Sequence, residues 1–251
     1  MADVTLTYKG NTIAEMSDTG TKTLKTAGKY CEGDIGVSYV KPSSGGTSDD
    51  LAKKIIQREE ITELPSDLTK IGYKAFESYV YLNLSYLPSG VTSIGDYAFD
   101  QCGPNLKLSS LPSGVTYIGE FAFRDCGGIT LTSLPDGITN IARHTFSGCA
   151  KLALTSLPSG VTSIGDYAFR YCDILTSMTF PENIDTIGSS AFEHCHKLTT
   201  ITFKGTPSSI ASNAFKNCLH LTTINVPWAE GAVAGAPWGA TNATINYNYT
   251  E

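Results

Sequence analysis

The sequence lacks several features that would point to particular classes of protein. No apolar run approaches the ~20 residues that a helix needs to span a bilayer, so no membrane insertion is expected. There is no basic excess either, because 18 lysines and arginines stand against 24 acidic residues, giving a net charge of −6. Nucleic acid is therefore not expected as a partner. Residues 1–7 contain neither the basic nor the apolar stretch of a secretory leader, so no signal peptide is seen in this chain.

Seven copies of one short pattern organise what is present. Each copy reads isoleucine, small residue, two variable residues, small residue and phenylalanine, with Thr145 replacing alanine once. The copies begin at Ile71, Ile94, Ile118, Ile141, Ile164, Ile187 and Ile210. The steps are 23 residues, except for one of 24 between Ile94 and Ile118. Such a fixed period is the signature of a solenoid, in which each coil buries its apolar residues against its neighbours.

Two sets of residues are predicted to point inward. Phenylalanine stands five positions after every isoleucine: Phe76, Phe99, Phe123, Phe146, Phe169, Phe192 and Phe215. Cysteine stands eight positions after it in six coils: Cys102, Cys126, Cys149, Cys172, Cys195 and Cys218. Cysteine is among the most buried residue types, and parallel stacked side chains suit the disulfide dihedral poorly. We therefore expect free thiols packed beside a phenylalanine column.

Turns and strands are predicted from the rest of each coil. Glycine, asparagine or aspartate stands four positions before six of the isoleucines, which predicts a left-handed residue there: Asp67, Gly90, Gly114, Gly137, Gly160 and Asn183. The residue just after the isoleucine is glycine in five coils but Ala142 and Ala211 in two, which indicates close packing instead. The segment after each cysteine, such as 198–203, alternates as a parallel strand does and ends near proline.

The flanking regions depart from the repeat. Residues 1–41 have the pattern of a small β module, with strands expected near 4–8, 13–16, 21–24 and 35–40. Residues 42–50 are a flexible linker by composition. Residues 51–63 are expected to form a capping helix on the first coil, 64–226 the seven coils, and 227–251 an aromatic cap over the last coil.

One coil carries a family resemblance. Residues 175–195 closely resemble the BspA-like class of leucine-rich repeat, whose hallmark is strand, proline, turn, Ile-Gly-x-x-Ala-Phe-x-x-Cys, and the match covers about residues 64–226. The resemblance implies an α/β fold: a right-handed leucine-rich-repeat solenoid with a parallel β-sheet on one face, beside the N-terminal β module. It also implies a surface-exposed or secreted bacterial protein that binds matrix proteins or other cells. Separately, segments 7–11 and 24–31 look similar to parts of phage-tail-associated proteins of gut bacteria.

No catalytic, metal or cofactor site is expected. The sequence has no CxxC pair and no phosphate loop ending in Gly-Lys-Ser/Thr. The triplet His194-Cys195-His196 offers ligand atoms, but Cys195 is predicted to point inward and His194 outward, so the three side chains cannot converge. Acidic residues are spread along the outside, and a regular array presents a broad surface rather than a deep pocket.

Two outward surfaces are candidates for binding a partner. The first is an aromatic column three positions after the isoleucines, expected on the convex side: Tyr97, Phe121, His144 and Tyr167. The alternative is that these rings only cover the phenylalanines beneath them. The second is a hydroxyl-rich strand face that includes Thr155, Thr179, Thr200 and Thr202, which could equally be solvent-facing β propensity. A further column, six positions after the isoleucines, is predicted to be solvated and to pair Asp100 with Arg124 and Glu193 with Arg170 and Lys216.

These observations favour a non-enzymatic binding or adhesion scaffold with a protein or glycan partner, expected to be a monomeric solenoid. The alternative is a structural or receptor-binding component of a phage-like or extracellular particle, attached through residues 1–41.

Overall fold

The computed structural model describes residues 2–5, 14–17, 21–24, 37–41, 60–64 and 66–250. From residue 60 onward the chain winds as a solenoid in which equivalent residues of successive coils pair in parallel. This confirms the predicted repeat architecture. Among the described residues the only helix is a single 3₁₀ turn, Gly103–Asn105, so the helical part of the expected α/β class is replaced by successive turns. The predicted capping helix falls largely on residues outside the described ranges.

The N-terminal strands form an antiparallel sheet that continues onto the first coil. Numbered along the chain, these strands are β1 (Ala2–Thr5), β2 (Ala14–Ser17), β3 (Thr21–Leu24) and β4 (Val37–Lys41). Their order is β3-β2-β1-β4. Val37 and Ser38 of β4 pair antiparallel with Ile71 and Lys70, which form strand β5 of the first coil. The N-terminal sheet thus covers one edge of the solenoid.

The isoleucines that define the repeat lie in two-residue strands that form two parallel ladders, one through the first three coils and one through the last four. The strands are β5 (Lys70–Ile71), β6 (Ser93–Ile94), β7 (Tyr117–Ile118), β8 (Asn140–Ile141), β9 (Ser163–Ile164), β11 (Thr186–Ile187) and β13 (Ser209–Ile210). Every isoleucine in these ladders is buried. The glycine after it lies against the previous coil, as predicted: a Cβ on Gly165 would be only 2.7 Å from the backbone nitrogen of Arg143.

A second parallel sheet contains longer strands, and it is confined to the C-terminal coils. It consists of β10 (Ser177–Phe180), β12 (Thr200–Phe203), β14 (Thr223–Asn225) and β15 (Thr244–Asn246). The register aligns Thr179 with Thr202 and Thr202 with Asn225. The last strand, β15, is supplied by the segment after the seventh coil.

The earlier coils lack this sheet because their apolar pattern is out of phase with it. Ser156 is bridged to Thr179, so Thr155 occupies the position of Met178 in the next coil. Met178 is buried, whereas Thr155 is exposed and the buried residue is Leu154 instead. The inward residue therefore shifts by one position between the fourth and fifth coils. Since strand side chains alternate between faces, this shift interrupts the regular strand.

The core is a continuous column, as predicted. All seven phenylalanines are fully buried, and neighbouring rings stack with centroids 5.0–5.7 Å apart. The six described cysteines are buried free thiols. Each thiol donates a hydrogen bond to the phenylalanine carbonyl of the preceding coil at 2.9–3.2 Å, for example Cys149 to Phe123.

The prediction of left-handed residues four positions before the isoleucines was wrong. Gly90, Gly114, Gly137 and Gly160 are not among the residues with positive φ. Positive φ occurs instead three and seven positions after the isoleucine, mostly at residues other than glycine, such as Tyr97 (57°) and Tyr171 (57°). These residues turn their N–H groups toward the next coil: Tyr171 donates to the carbonyl oxygen of Glu193 at 3.0 Å. Pairing between coils, rather than within a helical turn, explains why helices are replaced.

The C-terminal segment packs its tryptophans on the last coils. Trp238 is fully buried and Trp228 nearly so, and Phe203 meets Trp228 edge-on at 5.1 Å. The carbonyl oxygen of Trp238 accepts a hydrogen bond from the N–H of Phe215. Ile245 and Tyr247 are partly buried against the core, whereas Tyr249 is exposed.

Candidate partner-binding surfaces

The four aromatic residues proposed from the sequence form one column across consecutive coils. Tyr97, Phe121, His144 and Tyr167 stack with ring centroids 4.6–4.7 Å apart and interplanar angles of 6–16°. Tyr73 extends the column edge-on from the first coil. Because the rings lie face to face, their faces contact one another and their edges meet solvent. Phe121 retains only 8% exposure, which suits a cover over the core better than a surface for stacking on a ligand.

Arginines surround the middle of this aromatic column. The guanidiniums of Arg124 and Arg143 lie 4.9 and 5.5 Å from the ring centre of Phe121, and that of Arg170 lies 5.5 Å from Tyr167. Partial burial, reinforced by these three positive charges, lowers the pKa of His144 to about 4. His144 is therefore a neutral ring in the stack at neutral pH.

The column predicted to be a solvated face is buried at Asp100, Ser147 and Glu193, so the prediction was wrong at these three positions. Asp100 is 1% exposed and Glu193 is 5% exposed. The predicted charge pairs do form: Arg124 donates two hydrogen bonds of 2.7 Å to Asp100, and Glu193 meets Arg170 at 2.9 Å and Lys216 at 3.4 Å. Burial raises the pKa of Asp100, although the hydrogen bonds from Arg124 oppose that shift. Pairing across coils is what permits these carboxylates to be buried.

The hydroxyl-rich face is a two-row grid on the four-stranded sheet. One row aligns Ser177, Thr200, Thr223 and Thr244, and the other aligns Thr179, Thr202, Asn225 and Asn246. None of the eight side chains is charged. Within the second row Asn225 donates to the hydroxyl of Thr202 at 3.2 Å, and Asn246 donates to the side-chain oxygen of Asn225 at 2.7 Å. These bonds fix the side chains before any partner arrives.

The structure divides the predicted hydroxyl residues between two environments. Thr179, Thr200 and Thr202 lie together in the grid, on β10 and β12. Thr155 precedes the phase shift, so it lies beside the grid rather than in it, and its carbonyl oxygen accepts the N–H of Thr179. Thr244 and Asn246 are not predicted from the sequence to lie in this face, because residues 227–251 are expected to form the aromatic cap. The repeated tripeptide Thr-Ile-Asn at 223–225 and 244–246 was the signal that could have revealed them.

The histidines near Cys195 serve separate contacts. Cys195 points inward and donates to the carbonyl oxygen of Phe169, while the His194 ring stacks on Tyr171 at 4.8 Å. His196 meets the carboxylate of Asp173 at 2.8 Å. In the described part of the chain, no group of three potential ligand residues could hold a metal ion.

Comparison with known proteins identifies the repeat. A family model described as "BspA type Leucine rich repeat region" matches six copies over residues 57–175 and 117–230. The chain belongs to the BspA-type leucine-rich repeat family. The family pattern coincides with the buried isoleucines, phenylalanines and cysteines, so in this BspA-type chain the recurring residues build the core. Among curated protein sequences, none matches the chain.

Three solved structures illustrate what the BspA-type chain is similar to. A leucine-rich repeat protein from Bacteroides ovatus is 26% identical, with a TM-score of 0.49, over 74% of this chain and 61% of its own length. The leucine-rich repeat protein of T. pallidum is 30% identical, with a TM-score of 0.47, over 62% and 74%. The pneumococcal vaccine antigen PcpA is 18% identical, with a TM-score of 0.50, over 87% and 48%. The chain thus spans less than two thirds of the first structure. Within the described residues, no helix is long and apolar enough to cross a membrane.

Proposed function

We propose that this BspA-type protein is a non-enzymatic scaffold that binds a protein or glycan partner through the hydroxyl and amide grid of β10, β12, β14 and β15. The observation that supports this most is the alignment of eight uncharged polar side chains in two straight rows. Such a face offers many modest hydrogen bonds over a wide area, which suits an extended partner better than a small substrate.

The grid is favoured over the aromatic column for a geometric reason. In the column the ring faces are already stacked on one another, so only edges and the hydroxyls of Tyr97 and Tyr167 remain for a partner. The grid hydroxyls of Thr200 and Thr202 are instead half-exposed on a regular sheet. The aromatic column is kept as a second candidate surface.

Placement at the cell surface or outside the cell is part of the proposal. It rests on membership of the BspA-type family, which the sequence resemblance associates with surface-exposed and secreted proteins. Protease treatment of intact cells tests it directly, because an exposed protein would be degraded while a cytosolic marker survives.

Binding to an array of glycans and extracellular matrix proteins tests the proposed function. The full chain is expected to bind at least one class, and Thr202→Lys is expected to weaken that binding by placing a charge in the grid. Thr116→Lys, on an exposed threonine outside the grid, is the matched control and should bind as the parent does. If Thr202→Lys binds as well as Thr116→Lys, the grid is excluded as the binding surface. If binding is lost in Tyr167→Ala and in neither threonine variant, the aromatic column is favoured.

A further inference from the structure

The residues with positive φ that follow each isoleucine by seven positions point to a second kind of site, at the end of the solenoid. Seven positions after each isoleucine, a residue with positive φ presents its N–H along the axis of the stack. In the first six coils this N–H donates to a carbonyl oxygen of the next coil at 2.6–3.1 Å, as in the bonds from Gly148 to Arg170 and from His194 to Lys216. In each of the first six coils, a carbonyl oxygen of the next coil therefore lies opposite this N–H.

The seventh coil has no eighth coil to supply that oxygen. Asn217 keeps the left-handed conformation, with φ of 59°. Among the described residues no acceptor pairs with its N–H, whereas the neighbouring N–H of Phe215 is taken by the carbonyl oxygen of Trp238. The C-terminal segment thus satisfies one donor of the terminal coil and leaves this one open.

A cleft of about 290 Å³ lies at this position. Its lining includes Lys216, Asn217, Gly239 and Thr241. Gly239 of the C-terminal segment leaves the cleft open. Its φ of 89° disfavours a side chain, and a Cβ there would lie 3.1 Å from the backbone nitrogen of Lys216.

Charge in the cleft favours an anion. Lys216 is the only charged residue in the lining, and its side chain is 55% exposed. It shares Glu193 with Arg170, at 3.4 and 2.9 Å respectively, so two cations face one carboxylate and a positive charge is left over. A left-handed residue after a turn is also the backbone arrangement whose N–H groups bind anions in other proteins.

We propose that this cleft, the terminal coil site, binds a carboxylate group. One oxygen would occupy the position that a carbonyl oxygen fills in the internal coils and accept the N–H of Asn217. The other would face the ammonium of Lys216. The inference does not depend on the proposed function, because the cleft lies at the end of the stack and contains none of the grid residues.

Amide chemical shifts of the full chain during titration with sodium acetate test this site, with sodium chloride at equal ionic strength as the reference. Acetate is expected to move the Asn217 amide along a saturable curve. The equivalent amides of Tyr171 and His194 should stay still, since their N–H groups are already bonded. Lys216→Gln should weaken acetate binding about threefold to fivefold by removing an exposed charge contact. Lys151→Gln, an exposed lysine in another coil, should leave it unchanged.

Asn217→Gly separates the backbone donor from the side chain. It keeps both the N–H and the left-handed conformation, so acetate binding is expected to persist. No saturable shift at residue 217, or an equal response to chloride, would overturn the proposal. If Lys216→Gln alters the spectrum generally, Thr241→Phe, which fills the cleft, replaces it and should abolish binding. A peptide with a free C-terminus that binds more tightly than acetate, while its amidated form does not, would place the carboxylate on a polypeptide. No gain over acetate would place it on a small molecule.

Discussion

At the scale of single residues, the same side-chain type performs different work inside and outside the coil. Phe169 lies in the core column and is fully buried, whereas Phe121 lies in the outer aromatic column and packs between Tyr97 and His144. Each cysteine of the core fills apolar space and also donates its thiol hydrogen to a buried phenylalanine carbonyl oxygen, as Cys149 does to that of Phe123. Each of these carbonyl oxygens also accepts a backbone N–H of its own coil, as that of Phe123 does from Cys126 at 3.3 Å, so the thiol adds a second hydrogen bond to it.

His144 gives a testable acid dependence. Its pKa falls to about 4 in the folded chain, compared with ~6.5 in an unfolded one. The unfolded chain therefore takes up the proton first, and the stability from this residue is complete above pH 6.5 and is lost as the pH falls toward 4. When the pH is lowered from 7.5 to 4.5, the stability of His144→Phe relative to the parent should rise by roughly 1–2 kcal/mol. This figure allows for the partial exposure of the ring. Urea unfolding at the two pH values measures this.

Carboxylates also titrate in this range, so only the difference between parent and variant is informative. His220→Phe, on an exposed histidine of the seventh coil, is the matched control and should follow the parent. A pH-independent offset for His144→Phe would contradict the depressed pKa.

At the scale of elements, the coils show which features a sequence can reveal. The period, the phenylalanine column and the inward cysteines were predictable because one residue type recurs at the same position in at least six of the seven coils. The strand segments of the fifth to seventh coils were predictable from alternation at 198–203. The shift of the inward position from Leu154 to Met178 was visible in the residues, but it required the bridge between Ser156 and Thr179 to fix the alignment.

The left-handed positions could not be predicted in this way. Tyr97, Phe121 and Tyr167 adopt positive φ, although tyrosine and phenylalanine rarely do so. Bonds between coils stabilise that conformation, and no local sequence preference records them. The burial of Asp100 was hidden for a similar reason, since it depends on Arg124, which lies a full coil away.

The cysteine ladder predicts unreactive thiols. Burial raises the pKa of the Cys102, Cys149 and Cys195 thiols well above the ordinary range, and the thiolate is the reactive form. A thiol reagent is expected to leave the six described cysteines unmodified in the native protein. In denaturant without reductant it should modify all seven cysteines of the sequence. Fewer than seven free thiols after denaturation would mean that a disulfide had formed.

At the scale of the whole molecule, the two ends of the stack differ from its middle. At the first coil β4 pairs antiparallel with β5, and at the last coil Trp238 and β15 cover the core. Solenoids need such covers, because an end coil otherwise exposes an apolar cross-section.

Deletion of residues 1–41 tests the N-terminal cover. It removes β4 and exposes the edge of β5, so we expect a loss of roughly 1–3 kcal/mol from the broken ladder bonds. For a chain of this size, that lowers the Tm by about 2–4 °C per kcal/mol. Deletion of residues 1–36, which retains β4, is the control and should have the smaller effect. Equal melting of both truncations and the full chain would show that the β4–β5 pairing does not stabilise the solenoid.

The central claim is that one dry column of phenylalanines runs through stacked coils, leaving the outer residues to meet a partner. Urea unfolding of Phe169→Ala beside Tyr167→Ala tests it most directly, because the two positions are two residues apart in one coil. Phe169→Ala is expected to cost ~3–5 kcal/mol, as truncation of a fully buried ring does, and Tyr167→Ala clearly less, because its ring is partly exposed. Equal losses in the two variants, or the larger loss in Tyr167→Ala, would contradict the account.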